Sequence, residues 1–426
     1  MSENKDKLVL GLTGSFGSGC TTLSHSLEKL GFTRLSLSSY VRKVWSEKTG
    51  KQSEDAPKSE LQDIGDKLRE EKGDNYLATL AVAEISSLKE KKWFVIDSIR
   101  NLEEIAHFRD TFPNFYLIAV DSSPCFRWER VKYEFKRLGK TEDDFKDYDK
   151  RDKNEEWTTH GQQVELCVDD ADLMIVNDEQ FATEGLAEDK LKAKIEPYVN
   201  LLSGQRRPPT PFESYMNLAY SASLMSQCIK RRVGAVIVDE RKEAIVAMGY
   251  NENPSPIPPC ITKYFQCYRD IHKINTFKRL ERKGEKCPKC GQAVKNVKPP
   301  FLCQNTIEGN GTCNFDLDQH YNKDKVMSRC TALHAEERAI LTAGSRNIED
   351  CTIYTTTFPC FTCSQKIAFS KLRSVVYVEP YPDPDSIQLL IDAKITVRKF
   401  EGIKAKAFFR IFGPWQREVE MGINSH

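Results

Sequence analysis

Three residues in the second half of the chain have the types and spacing to hold a metal: His334 in "HAEERAI" (334–340), and Cys360 and Cys363 in "PCFTC" (359–363). One imidazole and two thiolates suit zinc. They leave one of its four tetrahedral positions open for water, the arrangement of a catalytic rather than a structural site. Glu336, two residues after His334, is a poor ligand at that spacing but well placed to hydrogen-bond such a water. Pro359 suits the first turn of a helix, whose positive end would lower the thiol pKa values. The chemistry is hydrolytic: zinc lowers the pKa of bound water to about 7, and the carboxylate carries protons.

A second cysteine set differs in kind. Cys287, Cys290, Cys303 and Cys313 are spaced C-x2-C-x12-C-x9-C, with Gly291 just after the second. Four thiolates close a coordination shell, so this reads as a structural zinc ribbon.

A third motif lies near the N-terminus. "GSFGSGCTT" (14–22) follows a phosphate-binding loop through Gly14, Gly17, Gly19 and Thr21, but Cys20 stands where that loop has lysine. Backbone N–H groups and a helix N-terminus hold phosphate without a side-chain charge. Loss of the lysine removes stabilisation of a moving phosphoryl group. Binding without fast transfer is therefore expected, in a nucleotide-sensing or regulatory role.

These motifs need elements to position them. A chain of 426 residues exceeds one ordinary core. Strand-like runs at 7–12, 93–99, 114–121 and 171–178 alternate with polar helical segments over the first 200 residues, which predicts a parallel sheet covered by helices. "LLSGQRRPPTPF" (201–212) breaks helix and strand alike and marks the boundary. The expected domains are residues 1–200, a linker at 201–211, and residues 212–426 with an insertion at about 260–329. In the second, "VGAVIVD" and "EAIVAMGYN" read as a strand hairpin, and "CTIYTTTFPC" and "SVVYVEPY" as later strands.

Composition narrows the class. Charged residues are 29%, and 63 Lys plus Arg nearly balance 62 Asp plus Glu, which argues against a basic nucleic-acid coat. No run of 18 apolar residues occurs and no secretory leader is recognisable, so a cytoplasmic protein without a membrane partner is expected. Fourteen cysteines then point to metal rather than disulfides.

The pattern H-x-E with P-C-x-x-C is that of zinc nucleobase deaminases. "RRVGAVIVD", "AIVAMGYN", "CTALHAEERAI" and "FPCFTC" together resemble deoxycytidylate deaminases over about residues 212–400. With a kinase-like domain in front, the whole chain resembles the bacterial anti-phage dCTP/dCMP deaminases. The resemblance implies an α/β chain: a P-loop kinase-like parallel-sheet domain, then an α/β/α cytidine-deaminase-like domain with a zinc-ribbon insertion. It implies hydrolytic deamination of dCTP or dCMP, depletion of the dCTP pool, a homo-oligomer, and regulation by nucleotides or an inhibitory small RNA. Asn251 matches the family's sugar-contacting Asn, and Ala335 would offer its backbone to the base. The basic run before the first hairpin strand, including Arg231 and Arg232, is expected at the substrate phosphates.

The front domain looks like a small nucleotide kinase. That implies Thr21 and Asp97 at a Mg2+ ion carried with a nucleoside triphosphate, and Arg100, Arg127 and Arg130 at phosphates. The competing reading is a polynucleotide deaminase acting on single-stranded DNA or RNA. Such a protein needs a basic groove and exposed aromatic rings, which only the insertion offers, in Tyr264, Phe265, Tyr268 and Phe277.

Overall fold

The computed structural model describes residues 4, 6–53, 56–137, 139–154, 162–181, 183–295, 297, 301–307, 311–321, 330–380 and 383–413. The end of the second expected domain (414–426) and parts of the insertion lie outside the described residues. The chain forms two compact units, Met1–Ser214 with Phe400–His426, and Tyr215–Lys399.

The front unit is built on β1 (Leu8–Thr13), β2 (Thr33–Ser36), β3 (Trp93–Asp97), β4 (Phe115–Asp121) and β5 (Leu173–Val176), in the order β5-β4-β1-β3-β2, every pair parallel. All six residues of β1 are buried. A strand covered on both faces needs this continuous apolar run rather than alternation. The four strands expected from such runs are present. β2, "TRLS", was not expected: it is a short edge strand with a single buried residue, so it has no apolar run to read.

The rear unit holds a hairpin, β6 (Gly234–Asp239) and β7 (Ala244–Tyr250), and a small ribbon, β8 (Thr306–Ile307) and β9 (Gly311–Thr312). β10 (Thr352–Thr357), β11 (Ser374–Glu379) and β12 (Thr396–Lys399) complete its main sheet, ordered β12-β11-β10-β6-β7. β10 runs antiparallel to β6 and parallel to β11, which runs parallel to β12. Every residue of β6 and β10 is buried, so both faces of this mixed sheet are covered.

The chain then returns. β13 (Gly402–Ile403) pairs antiparallel with β5 and so belongs to the front sheet, whereas the sequence placed everything from 212 onward in the second domain. Two residues of strand leave no periodicity to read. The boundary also shifts. The 201–212 segment is pinned within the front unit, where buried Glu213 accepts hydrogen bonds from Arg207 (2.7 Å), the Thr210 N–H (2.8 Å) and the Ile403 N–H (3.1 Å). Among the described residues no helix is long and apolar enough to cross a membrane.

Candidate metal centres and nucleotide cavities

In the rear unit, His334 is the extended residue capping the helix Ala335–Ala343, and Cys360 caps the helix Phe361–Phe369 in the same way. Pro359 therefore precedes the cap rather than filling the first turn. Two helix N-termini thus carry the three candidate ligands, and Cys363 lies in the first turn of the second. His334 Nδ1 is 3.3 Å from both Cys360 Sγ and Cys363 Sγ, and one donor atom from each of the three residues lies within 4.8 Å of the others. This soft, three-donor set fits zinc.

Glu336, on the first turn of the His334 helix, is almost wholly buried, with Oε2 3.6 Å from Cys363 Sγ. Burial pushes its carboxyl above the ordinary range, so this group holds a proton more readily than a surface glutamate. The Cys360 thiol is held down to about 3, chiefly by a hydrogen bond from Cys363, with His334 and Thr362 contributing.

The helix carrying His334 and Glu336 lies directly on β7 because position 249 is glycine. A Cβ there would sit 2.3 Å from Ala335 O and 2.4 Å from Ala339 N, both backbone atoms that cannot give way separately. Gly249→Ala is expected to lower stability by about 1–3 kcal/mol through overpacking and to weaken zinc retention. Thermal unfolding and zinc content check this; an unchanged melting temperature would refute it.

A cavity of about 220 Å3 opens over this centre. Its wall includes Asn251, Ala335, Glu336, His334, Cys360 and Arg231, but not Arg232. Asn251 is at the cavity with both ends of its amide engaged: Oδ1 accepts the Val233 N–H and Nδ2 donates to Arg231 O, each at 2.8 Å. It fixes the loop before β6. Arg231 pairs with Glu379 at 2.7 Å. Arg269, at the start of the insertion helix Tyr268–Arg282, also lines the cavity and was missed, because it belongs to no motif.

The insertion's own centre holds together Cys287, Cys290, Cys303 and Cys313, whose sulfurs lie within 4.8 Å of one another. The turn after Cys290 is made by Gly291 at φ +69°, and Gly291 N–H donates to Cys287 O at 2.9 Å. The Gln292 backbone N–H is the main cause holding the Cys290 thiol down to about 6. Phe277, Val294, Phe301 and Leu317 pack around the sulfurs, with the Phe277 and Phe301 rings stacked at 5.3 Å. Four thiolates in a closed cluster fit a structural zinc.

In the front unit the glycine loop leads from β1 into the helix Cys20–Glu28, with Gly19 at its cap at φ +106°. A Cβ on Gly19 would also lie 2.4 Å from Asn177 Nδ2, so only glycine fits. A cavity of about 430 Å3 is lined by Gly14, Gly17, Gly19, Cys20, Thr21, Asp97, Arg100 and Arg130. Thr21 Oγ1 donates to Asp97 Oδ2 at 3.1 Å, while Asp97 Oδ1 is buried without a partner. Burial, then the nearby Asp97 carboxylate, push the Cys20 thiol up to about 12, so this position supplies no charge.

The two arginines expected at phosphates behave differently. Arg127 is outside the cavity lining; it is buried, with its guanidinium on Asp149 (2.6 and 2.9 Å), Ser122 O and Phe16 O. Arg130 reaches the cavity but donates to the carbonyls of Gly17 (3.0 Å), Ser18 and Glu179. Both brace the loop from behind. Arg100 is at the cavity and donates to Gln162 Oε1 at 2.7 Å.

Comparison with known proteins gives two kinds of match. The family model for the cytidine and deoxycytidylate deaminase zinc-binding region matches residues 210–379. The deoxycytidylate deaminase of Saccharomyces cerevisiae is 31% identical over 188 residues, 44% of this chain and 43% of that protein, so the match spans less than half of the yeast enzyme. A UPF0200 protein of Thermococcus onnurineus is 33% identical over 176 residues, 40% of this chain and 89% of its own length. Among solved structures, dCMP deaminase from the cyanophage S-TIM5 in complex with dCMP and dUMP is 22% identical, covering 46% of this chain and 99% of that one, with a TM-score of 0.27. The chain therefore belongs to the UPF0200 family, and its residues 210–379 match the zinc-binding region of cytidine and deoxycytidylate deaminases.

Proposed function

We propose that the rear unit deaminates free deoxycytidine nucleotides, dCMP or dCTP, by hydrolysis. The observation that carries this is the burial of the Glu336 carboxyl beside the His334, Cys360 and Cys363 donors at one cavity. His334, Cys360 and Cys363 would hold a zinc ion, which would supply acidification of a water. Glu336 takes the proton of the attacking water and delivers it to ring N3 as the C4–O bond forms. The same carboxyl then takes the remaining proton from the C4 hydroxyl and gives it to the exocyclic amine; C4=O forms as the C4–N bond breaks, and ammonia leaves. Burial suits this double duty, because a raised pKa brings donor and acceptor forms closer in energy. The Ala335 backbone, beside it in the wall, is available to the base. Such an activity on free nucleotides would draw down the dCTP pool, which suits a role in defence against phage.

The test is ammonia release from dCMP, dCTP, CTP and a cytosine-containing oligonucleotide. Turnover of the free deoxynucleotides supports the reading. Turnover of the oligonucleotide alone would replace it with polynucleotide editing.

The front unit, on this reading, binds a nucleoside triphosphate and regulates rather than phosphorylates. Thr21 and the buried, unpartnered Asp97 Oδ1 would hold its Mg2+, and the loop amides its phosphates. Cys20→Lys is expected to tighten triphosphate binding about tenfold, by adding a charge-assisted contact beside Asp97. Calorimetry of wild type and variant checks this. Wild-type phosphoryl transfer at about 1–100 per second would show a working kinase instead.

A further inference from the structure

Three cations line the cavity over Glu336, and they are not equivalent. Lys230 is paired with Asp270 at 2.6 Å and Arg231 with Glu379 at 2.7 Å. Arg269 differs: its Nε is buried without a hydrogen-bond partner, and among the described residues no carboxylate lies within ion-pair distance of it. A desolvated guanidinium nitrogen with no partner is costly. Its neighbour Asp270 holds Lys230 in place, so the ion pair that ties the insertion helix to the loop before β6 also sets Arg269 into the cavity wall. Arg269 is the second residue of a 15-residue helix, where the positive end of the helix adds to its charge.

We propose that Arg269 is the specificity residue for the phosphate of the substrate. This rests on the reading of the rear unit as a deaminase of free deoxycytidine nucleotides. With the base at Glu336, the sugar-phosphate end of the same molecule must lie elsewhere along the one cavity, and Arg269 is its unmatched cation. A 5′-phosphate satisfies the guanidinium with the paired geometry it favours. A nucleoside leaves the buried Nε without a partner, and sites built to hydrogen-bond a substrate group discriminate strongly against analogues lacking it. The insertion thereby acquires a purpose beyond its metal: it delivers the residue that separates nucleotide from nucleoside.

The experiment compares wild type, Arg269→Ala and Arg269→Lys on dCMP and deoxycytidine, with dUMP and deoxyuridine binding followed by calorimetry and zinc per chain as a control. For Arg269→Ala, kcat/KM on dCMP should fall about 10- to 100-fold, mainly through KM. Its value on deoxycytidine should stay where it was, dUMP binding should weaken in parallel, and zinc content should not change. Arg269→Lys should keep part of the preference, since charge remains but the planar fork is lost. An unchanged ratio of dCMP to deoxycytidine activity, or an equal loss on both substrates, would overturn the assignment while leaving the deaminase reading intact. Wild-type protein that turns over neither these substrates nor dCTP, and binds neither product, would overturn both.

Discussion

Glu336→Gln should abolish ammonia release while leaving zinc at the wild-type level. The amide keeps the shape of the side chain beside Cys363 Sγ, so packing and metal ligation are spared, but it cannot shuttle a proton. General acid–base groups contribute about 10^2 to 10^4-fold, and this one carboxyl serves water, ring N3 and the leaving amine in turn, so the upper end is expected. Steady-state ammonia release and zinc per chain measure the two halves of the claim. A variant keeping more than about a tenth of the activity would remove Glu336 from its role. Loss of the metal together with activity would show that the residue supports the centre rather than the chemistry.

The second large effect concerns the insertion. Replacing both Cys287 and Cys313 by alanine should lower zinc from two ions per chain to one and open the segment to proteases. The apolar group around the sulfurs is small, built mainly from Phe277, Val294, Phe301 and Leu317, and a core of that size does not hold a fold without a staple. Structural zinc contributes about 10–16 kcal/mol of apparent binding energy in isolated finger peptides at pH 7, well above what these side chains supply. Cleavage sites should fall within the insertion helix and the ribbon β8–β9, while the main sheet of the rear unit stays protected. Two zinc ions and an unaltered digestion pattern would contradict the assignment of a second metal centre.

Both cysteine groups could be read before any coordinates because metal chemistry restricts residue type as well as spacing. The structure brings His334, Cys360 and Cys363 together, and the four insertion cysteines together. The glycine loop was legible for a similar reason: at Gly19 a positive φ and the approach of Asn177 leave room for no side chain. Arginines were read less well. Charge near a phosphate-type loop suggests phosphate, yet Arg127 is fixed by Asp149 and Arg130 by loop carbonyls. A guanidinium has enough donors to brace backbone as readily as to bind a ligand, and only packing decides. Arg269 failed in the opposite direction. Nothing in its sequence neighbourhood marks it, because its place in the cavity depends on where the insertion helix docks. Buried strands with continuous apolar runs were found; β2, with one buried residue, and β13, of two residues, carry too little pattern.

The return of the chain through β13 has a consequence for biosynthesis. The front sheet takes its edge beside β5 from residues 402–403, after the whole rear unit has been made. Domains usually fold in order as they leave the ribosome, but here the first cannot finish first. Until the end of the chain emerges, the outer edge of β5 stays unpaired, with the buried Glu213 lacking the N–H of Ile403 and an open strand edge exposed to other chains. A chain stopped before Phe400 would remain in that state permanently. Nascent front units therefore depend on rapid completion of the rear unit, or on a chaperone, to avoid pairing with one another.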